Sequence, residues 1–393
     1  MVLEAQGDVA PGFEAVADAF VAAFEDSQGM GAALAIRQHG VPVVDLWAGV
    51  ADARTGATWT HDTISVIFSC TKGLVSLLMA RLVRDGRIAY DDPVARYWPE
   101  FAGQGRDAIT IGDILSHRAG LSAFRDPVTL DEVLDWPAMI RRLETEEPLW
   151  EPGTGHSYHA LTHGWLAGEV IRRVTGVSVG QHLRDVLADP LGVDAWIGLP
   201  ESAESRVAHL RAGADLMRSI DAWLGGKDPA VIDWAERAIT LGGVFPPELV
   251  VDDGAFNDPR VHRAEVPGAG GIASARALAT IWSAAIVPTD GMPPILSAST
   301  IELATRTRSD GPQVFAPLPP WARWGMGFQL DSAARRLLTP SAFGHDGAGG
   351  QVAFADPQTG IGFAFLTNVL EGDRDRRANR IVDALRQIVG PPR

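Results

Sequence analysis

Strand-like segments lie near both ends of this 393-residue chain, while the long stretch between them carries mainly helical patterns. The strand signals cover 30–40 and 41–52 near the start and 324–330, 350–357 and 361–368 near the end. His39-Gly40 and the sequence DPQTG at 356–360 are turn signals between neighbouring strands. The simplest way for segments so far apart to bury their apolar faces is to share one sheet, so we expect an antiparallel sheet built from both chain ends.

This arrangement predicts the α+β fold class. Helical spacing from Phe13 onwards, and again from about 373 to 389, predicts terminal helices that flank the sheet. The interior of the chain predicts an inserted all-helical domain. We therefore expect a discontinuous α/β sheet domain over 1–70 and 270–393, a mainly helical domain over 71–269, and an active site in the cleft between them.

Charge and composition narrow the possible partners and compartments. The formal net charge is −15, and an acidic surface repels phosphate backbones and anionic lipid, so we expect no nucleic-acid or membrane partner. The single cysteine excludes an internal disulfide. The N-terminal segment lacks the basic and apolar regions of a signal peptide, and no apolar run approaches the roughly 18 residues of a membrane span. We expect a cytoplasmic protein and leave open whether it forms a homo-oligomer.

One short segment concentrates chemically active side chains. Ser69, Cys70 and Lys72 lie directly before an apolar helical run, and Lys72 is one of only two lysines in the chain. If a helix begins near Ser69, Lys72 is its i+3 neighbour, and a desolvated neutral lysine can take the proton of a serine hydroxyl. The alternative is that Ser69 caps the helix and Lys72 is solvated. Cys70 is a rival nucleophile, but it lacks a paired base and is typical of a small buried apolar residue.

Two further segments carry polar residues in suggestive places. Tyr158 follows the loop EPGTGHS and precedes a helix, so its hydroxyl, which both donates and accepts, is a candidate second proton carrier. A core or capping role is the alternative. His345-Asp346-Gly347 lies at the lip of a predicted strand, where a glycine lets a ligand approach the backbone closely. The alternative there is a hairpin turn.

The order of these motifs resembles that of the serine beta-lactamase-like superfamily, and most closely its class C beta-lactamase and family VIII carboxylesterase branch. The resemblance rests on the S-x-x-K motif that begins at Ser69, on Tyr158 after a Pro-Gly loop, and on the H-x-G motif that begins at His345. It covers roughly residues 10–390 and implies a beta-lactamase/transpeptidase-like fold. Two other segments fit the family: TIGDILSHRAGL at 110–121 and PGAGGIASARALA at 267–279.

The resemblance also implies roles for individual residues. Ser69 looks like the acylated nucleophile, Lys72 like its base partner, and Tyr158 like the residue that passes a proton to the leaving group. The backbone N–H groups of Ser69 and Ala348 would form the oxyanion hole. Whether lysine or tyrosine is the acylation base stays open. Further substrate-binding candidates are His345, Gly347 and His159, with Trp150 and Trp324 as candidate walls of the acyl pocket.

Two departures from the family pattern bear on the substrate. Tyr158-His159-Ala160 lacks the asparagine amide that contacts a beta-lactam side chain, and His345, mostly neutral at pH 7, replaces the lysine of K-T-G. Together with the missing export signal, these departures favour an esterase. We therefore predict hydrolysis of small uncharged carboxylic esters with short to medium acyl chains through an acyl-enzyme on Ser69, without a cofactor or metal.

Two alternative functions remain open, and two other motifs in the sequence suggest sites that we do not expect. An amidase, D-aminopeptidase or beta-lactamase on the same fold is the nearest rival, and a non-catalytic binding protein is the second. Ser178 satisfies G-x-S-x-G, but a helix precedes it instead of a strand, so we expect a helix cap. His156, His159 and His163 have helix-like spacing without a carboxylate or cysteine ligand, so we expect no metal site there.

Overall fold

The computed structural model describes residues 4–25, 27, 29–228, 231–316, 318–372 and 374–390. Its strands, numbered along the chain, are β1 (Gln6–Val9), β2 (Gly31–Gln38), β3 (Val41–Asp52), β4 (Ala57–Thr58), β5 (Ser65–Val66), β6 (Ala195–Ile197), β7 (Arg211–Ala212), β8 (Val250–Val251), β9 (Gly254–Ala255), β10 (Gly271–Ala273), β11 (Arg323–Trp324), β12 (Gln329–Leu330), β13 (Phe343–Gly347), β14 (Gln351–Asp356), β15 (Ile361–Thr367) and β16 (Val369–Leu370). Its helices are α1 (Glu14–Ala22), α2 (Cys70–Arg84), α3 (Ile111–Leu115), α4 (Leu130–Leu134), α5 (Trp136–Thr145), α6 (Thr162–Thr175), α7 (Val179–Leu183), α8 (Asp189–Leu191), α9 (Ala214–Gly225), α10 (Trp234–Thr240), α11 (Pro259–Arg263), α12 (Ala275–Ile286), α13 (Ala298–Thr305) and α14 (Arg377–Val389). Across these residues, the helices are too short or too polar to cross a membrane.

The main sheet joins the two ends of the chain. Its order is β1-β3-β2-β15-β14-β13-β12-β11, with β4 paired to β3, and every neighbouring pair is antiparallel. The N-terminal hairpin meets the C-terminal strands where β2 pairs with β15, from Ala32 opposite Thr367 to Gln38 opposite Ile361. The predicted α+β fold, with one antiparallel sheet from both ends, is confirmed.

The predicted hairpin at His39-Gly40 is also confirmed, and its geometry explains the sequence. Both residues have positive φ, 50° at His39 and 85° at Gly40, as a tight two-residue turn between twisted strands requires. Glycine adopts this conformation without steric cost. The turn therefore sets the register of β2 against β3.

Strand β15 separates large from small side chains, and this decides which helix covers each face of the sheet. Phe363 and Phe365 pack in the same buried cluster as residues of α1 and α14. Gly362 and Ala364 point to the other face, where a Cβ on Gly362 would lie 2.5 Å from the carbonyl oxygen of Ala279 in α12. The predicted terminal helices are present, shorter than their sequence patterns, and residue 373 of the second pattern lies outside the described residues.

Helix α2 lies at the centre of the molecule. Residues 70–80 are all buried, and a helix that is buried on every side belongs in the interior of a fold. It packs between β13 of the main sheet and helices α6 and α7. A second small sheet, β5-β10-β6, holds the backbone directly before it. The first turn of α2 is thereby fixed from both sides.

The segment 71–269 contains most of the helices, together with the short strands β6 to β9. The division into residues 1–70 with 270–393 and residues 71–269 stays a prediction. Its outermost residues, 1–3 and 391–393, lie outside the described part of the chain.

The buried side chain of Asn368 generates a stability prediction. Its amide group donates to three backbone carbonyls, those of Val50, Ala51 and His209. Its Oδ1 accepts from the N–H of Gly31 at 2.8 Å. Asn368→Ala leaves several buried backbone groups without partners, so we expect urea unfolding to show a loss of about 2–4 kcal/mol. The exposed amide variant Gln358→Ala should stay within about 0.5 kcal/mol of wild type; equal effects of the two variants would contradict the assigned role.

Candidate active site

The hydroxyl of Ser69 is the meeting point of two other polar side chains. Lys72 Nζ donates to Ser69 Oγ at 2.9 Å, and Tyr158 Oη donates to the same oxygen at 2.8 Å. Lys72 Nζ also lies 4.8 Å from the centroid of the Tyr158 ring. The three side chains that the sequence singled out therefore converge in space, although 89 residues separate Ser69 from Tyr158.

The structure excludes the capping alternative for this segment. Helix α2 begins at Cys70, and Ser69 occupies the N-cap position, but its side chain makes no capping hydrogen bond. The hydroxyl turns to Lys72 and Tyr158 instead. Lys72 is fully buried, so it is not a solvated first-turn residue.

The residue before Ser69 has an unusual backbone conformation. Phe68 has φ 43°, which bulky residues adopt only when surrounding contacts hold them there. Its ring packs edge-on against Phe256 at 5.1 Å, and its carbonyl accepts from the hydroxyl of Thr71. The N–H of Gly271 in turn donates to Thr71 Oγ1 at 2.9 Å. These contacts fix the entry of the chain into α2 and so aim Ser69.

Burial changes the acid–base chemistry of Lys72. Removal from water lowers the pKa of its amine from 10.5 to about 7, although the negative charge of Asp346 opposes this shift. Besides Ser69, the amine donates to the carbonyl oxygen of Gly268 at 2.7 Å. Gly268 packs tightly, since a Cβ there would lie 2.5 Å from the carbonyl oxygen of Leu161. At neutral pH a large fraction of such a lysine carries a free lone pair.

Aromatic packing and one hydrogen bond hold Tyr158. Its ring stacks on Trp324 at 5.4 Å with an interplanar angle of 17°, and the ring of His117 lies 4.9 Å away. Its backbone N–H donates to Oε1 of Gln313 at 2.8 Å. Burial raises the pKa of the Tyr158 phenol, so the group stays protonated at neutral pH. The phenol can pass a proton on, but because it is protonated at neutral pH it is not available there as a base.

Three residues predicted as substrate contacts, His159, His345 and Trp150, are not among the residues that line the cleft. His159 is fully buried, with Nδ1 at 2.7 Å from the Ser157 carbonyl and Nε2 accepting from the N–H of Leu121. His345 is buried as well, with Nδ1 at 2.6 Å from the carbonyl of Asp346.

Trp150 donates to the carbonyl of Gly155 at 3.3 Å and packs against Phe315. Both ring nitrogens of His159 and the indole N–H of Trp150 are hydrogen-bonded within the protein, whereas Nε2 of the buried His345 has no partner in the described part of the chain. Burial lowers the pKa of His159 to about 4 and also lowers the pKa of His345, so both rings are neutral at neutral pH.

The cleft above Ser69 has a volume of about 510 Å³. Ser69, Tyr158, Trp324, Gly347 and Ala348 all contribute to its lining, so these predicted site residues do face a common space. Most of its other walls are apolar, with Leu216, Ile239, Leu249 and Phe256 on one side.

The end of β13 runs against the segment that precedes Ser69. A Cβ on Gly347 would lie 2.6 Å from the carbonyl oxygen of Ile67, so only glycine permits this approach. Within the described residues, the N–H groups of Ser69 and Ala348 donate to no protein acceptor. Two free donors at one end of a cleft are suited to hold a substrate oxygen that gains negative charge.

The remaining candidates of the sequence are structural. Cys70 is buried, burial raises the pKa of its thiol, and its Sγ donates to the carbonyl of His345 at 3.2 Å. Ser178 is the N-cap of α7 and accepts from the N–H of Gln181, which confirms the predicted cap. In the part of the chain that the structure describes, no cluster of histidine, cysteine or carboxylate side chains could hold a metal ion.

Some residues of the site were not predicted individually. Gly268, Gln313 and the positive φ of Phe68 have no signature of their own in the sequence. The PGAGG segment that includes Gly268 matched the family pattern, but only the structure shows its carbonyl on the lysine.

The chain is similar to known proteins in both sequence and fold. The family model described as "Beta-lactamase" matches residues 15–387. The chain is 33% identical to "Esterase/beta-lactamase LipL" of Mycobacterium tuberculosis (strain ATCC 25618 / H37Rv), over 93% of this chain and 83% of that protein. The crystal structure of a family VIII carboxylesterase superposes with a TM-score of 0.86 at 34% identity, covering 98% of this chain and all of the other. A penicillin-binding protein homolog from Caulobacter crescentus gives a TM-score of 0.85 at 36% identity, covering 98% of this chain and 100% of that chain.

The buried amine generates a pH-dependent stability prediction. Between about pH 7 and 10.5 the unfolded chain binds a proton at Lys72 that the folded chain does not bind, so the stability of wild type rises with pH in this window. Lys72→Met removes this dependence. We expect urea unfolding to show wild type gaining about 2–4 kcal/mol relative to K72M between about pH 7 and about pH 10.

The chain's second lysine supplies the matched control. Lys227 is ion-paired with Asp233 and Glu236, and K227M measures the background of a lysine-to-methionine change. A difference between wild type and K72M that stays constant with pH would show that Lys72 titrates alike in the folded and unfolded chains.

Proposed function

The chain belongs to the beta-lactamase family, and from this premise we propose that it is a serine hydrolase of carboxylic esters that forms an acyl-enzyme on Ser69. The observation that carries the proposal is the pair of hydrogen bonds from Lys72 and Tyr158 to one serine oxygen. A serine hydroxyl becomes a strong nucleophile only when a base takes its proton. A lysine with a pKa of about 7 supplies that base at neutral pH.

Acylation follows from these contacts. Neutral Lys72 accepts the proton of Ser69 Oγ, and the oxygen attacks the carbonyl carbon of the ester. The carbonyl oxygen becomes an oxyanion that accepts from the N–H groups of Ser69 and Ala348, an interaction that typically lowers the barrier by several kcal/mol. When the tetrahedral intermediate collapses, Tyr158 gives its proton to the leaving alcohol and regains one from Lys72.

Deacylation repeats the sequence with water. A water molecule attacks the acyl carbonyl while Lys72, again neutral, takes a proton from it through Tyr158. The bond between Ser69 Oγ and the acyl carbon breaks, the serine oxygen regains the proton, and the carboxylic acid leaves. Because the phenol of Tyr158 has a raised pKa and the amine of Lys72 a lowered one, we assign the base role to Lys72.

The walls of the cleft support esters over beta-lactams. Ala160, which lines the cleft, stands where the family carries an asparagine amide, and the neutral His345 ring lies behind the wall. Neither residue offers the polar grip that a beta-lactam needs. The apolar side chains of Leu216, Ile239 and Leu249 favour a short to medium acyl chain.

Beta-lactam hydrolysis is the second candidate, because one relative is named both esterase and beta-lactamase. Nitrocefin turnover comparable with the turnover of a 4-nitrophenyl ester would favour it.

The nucleophile assignment is tested by two serine variants. Ser69→Ala should reduce kcat/KM for 4-nitrophenyl butyrate by at least about 10³-fold, because it removes the oxygen that carries the acyl group in the proposed mechanism. Ser178→Ala removes a helix cap and the hydrogen bond from Ser178 Oγ to Glu265 Oε1, both away from Ser69, and should keep activity while unfolding about 1–2 kcal/mol more easily. A steady-state assay measures the first effect and urea unfolding the second. An active S69A enzyme together with an inactive S178A enzyme would refute the assignment.

The base assignment predicts a pH profile. Protonated Lys72 cannot accept a proton, so kcat/KM for a neutral ester should fall about tenfold per pH unit below an inflection near pH 7. Lys72→Arg, which cannot lose its charge, should lower kcat/KM by at least about 10²-fold and remove the inflection. A profile that stays flat down to about pH 5 in wild type would contradict Lys72 as base.

A further inference from the structure

Asp346 is the only charged side chain among the residues that line the cleft in the described part of the chain. It lies on β13 between His345 and Gly347, and alternate residues of a strand point to opposite faces. The side chain of His345 is 1% exposed, whereas that of Asp346 is 27% exposed. The strand therefore turns its carboxylate, and not its imidazole, toward the substrate.

Neighbouring groups keep this carboxylate ionised. Arg335 Nε donates to Asp346 Oδ2 at 2.9 Å, and His345 Nδ1 lies 3.6 Å from Oδ1. Burial alone would raise the pKa of the carboxyl, but the positive charge of Arg335 and a hydrogen bond from His345 outweigh burial and hold the pKa well below its usual range. The backbone N–H of Asp346 donates to Oε1 of Gln329 at 2.9 Å, which fixes the strand at this position.

The partner cation does not share the cleft with the carboxylate. Arg335 donates through Nη1 to Asn379 Oδ1 at 2.9 Å and lines an adjoining cavity of about 750 Å³, which shares Leu216, Pro320, Ala334 and Gly347 with the cleft. The ion pair is thus oriented, with its negative member lining the cleft and its positive member lining the adjoining cavity.

The other nearby cation, Lys72, makes its hydrogen bonds to groups other than Asp346. Lys72 is fully buried beneath the hydroxyl of Ser69, with its amine held by the Ser69 oxygen and the Gly268 carbonyl. In the state that accepts a proton from serine, this amine is neutral. A substrate in the cleft therefore meets the negative end of an ion pair among apolar walls, where charge interactions are stronger than in water.

We propose that Asp346 determines substrate charge in this cleft: it excludes esters that carry a carboxylate near the scissile bond and favours neutral or cationic esters. The inference rests on the proposed ester hydrolysis. The inference extends that proposed function by naming the substrate class, which comprises uncharged esters and esters with a quaternary ammonium group. Beta-lactams, which carry a carboxylate beside the reacting ring, belong to the excluded class.

The test compares esters of matched shape and different charge. Mono-4-nitrophenyl glutarate is paired with the neutral pentanoate, and the 4-(trimethylammonio)butanoate ester is paired with the neutral 5,5-dimethylhexanoate. Asp346→Asn removes the charge with little change of shape. We expect the glutarate-to-pentanoate ratio of kcat/KM to rise at least about tenfold in D346N, and the ammonium-to-neutral ratio to fall by a similar factor.

Two further variants distinguish the effect of a charge inside the cleft from the effect of the protein's net charge. Asp346→Glu keeps the charge and should restore both ratios toward those of wild type. Asp62, whose side chain is 76% exposed, does not line the cleft, so Asp62→Asn changes the net charge by one without entering the site. Both ratios should be the same in D62N as in wild type.

The outcomes distinguish a failure of the role assigned to Asp346 from a failure of the proposed ester hydrolysis. Unchanged ratios in D346N, with neutral esters still hydrolysed in a Ser69-dependent way, overturn the role of Asp346 and leave the ester hydrolase standing. Absence of Ser69-dependent turnover of every ester overturns both. If D346N does not fold, wild type carries the test: raising salt from about 0.02 to about 0.5 M should raise the glutarate-to-pentanoate ratio, and a constant ratio contradicts the inference.

Discussion

The site depends on the burial of one amine. Lys72 is removed from water beneath the first turn of α2, and this removal lowers its pKa to about 7 against the opposing effect of the Asp346 charge. An exposed lysine at the same distance from Ser69 would stay protonated and could not act as a base. The contacts to the Ser69 hydroxyl and the Gly268 carbonyl direct the buried amine without restoring its charge. The chemistry proposed here is therefore a consequence of packing.

The fold supplies that packing by joining distant segments. Strand β10 pairs with β5, so the loop that ends in Gly268 lies beside the start of α2. The C-terminal strands join the N-terminal hairpin in one sheet, which places β13 and Gly347 against the backbone before Ser69. The strained backbone of Phe68 persists because these neighbours hold it on both sides. Each element alone is ordinary, and the site exists only where they meet.

Much of this organisation was predictable from the sequence. The rest could not be predicted, and the reasons are physical. The spacing of Ser69 and Lys72 is a local property of a helix, and the His39-Gly40 turn follows from backbone conformation, so both could be predicted. Tyr158 was a candidate because of the loop before it, but only the family resemblance linked it to Ser69, since nothing local connects the two residues. His159, His345 and Trp150 were predicted as substrate contacts but do not line the cleft, because a motif does not reveal which face of a strand or loop points to it. No role was assigned to Asp346 from the sequence for the same reason: it lines the cleft, and its side chain is more exposed than that of His345.

The central claim is that a neutral lysine lies beside the serine in the folded protein. Because the chain has only two lysines, selective labelling with ¹³Cε-lysine gives an NMR spectrum with two signals, which K72R assigns. The account predicts that the Lys72 signal titrates with a midpoint near pH 7 in the native protein. A Lys72 signal that titrates near the ordinary lysine value of about 10.4 would contradict it.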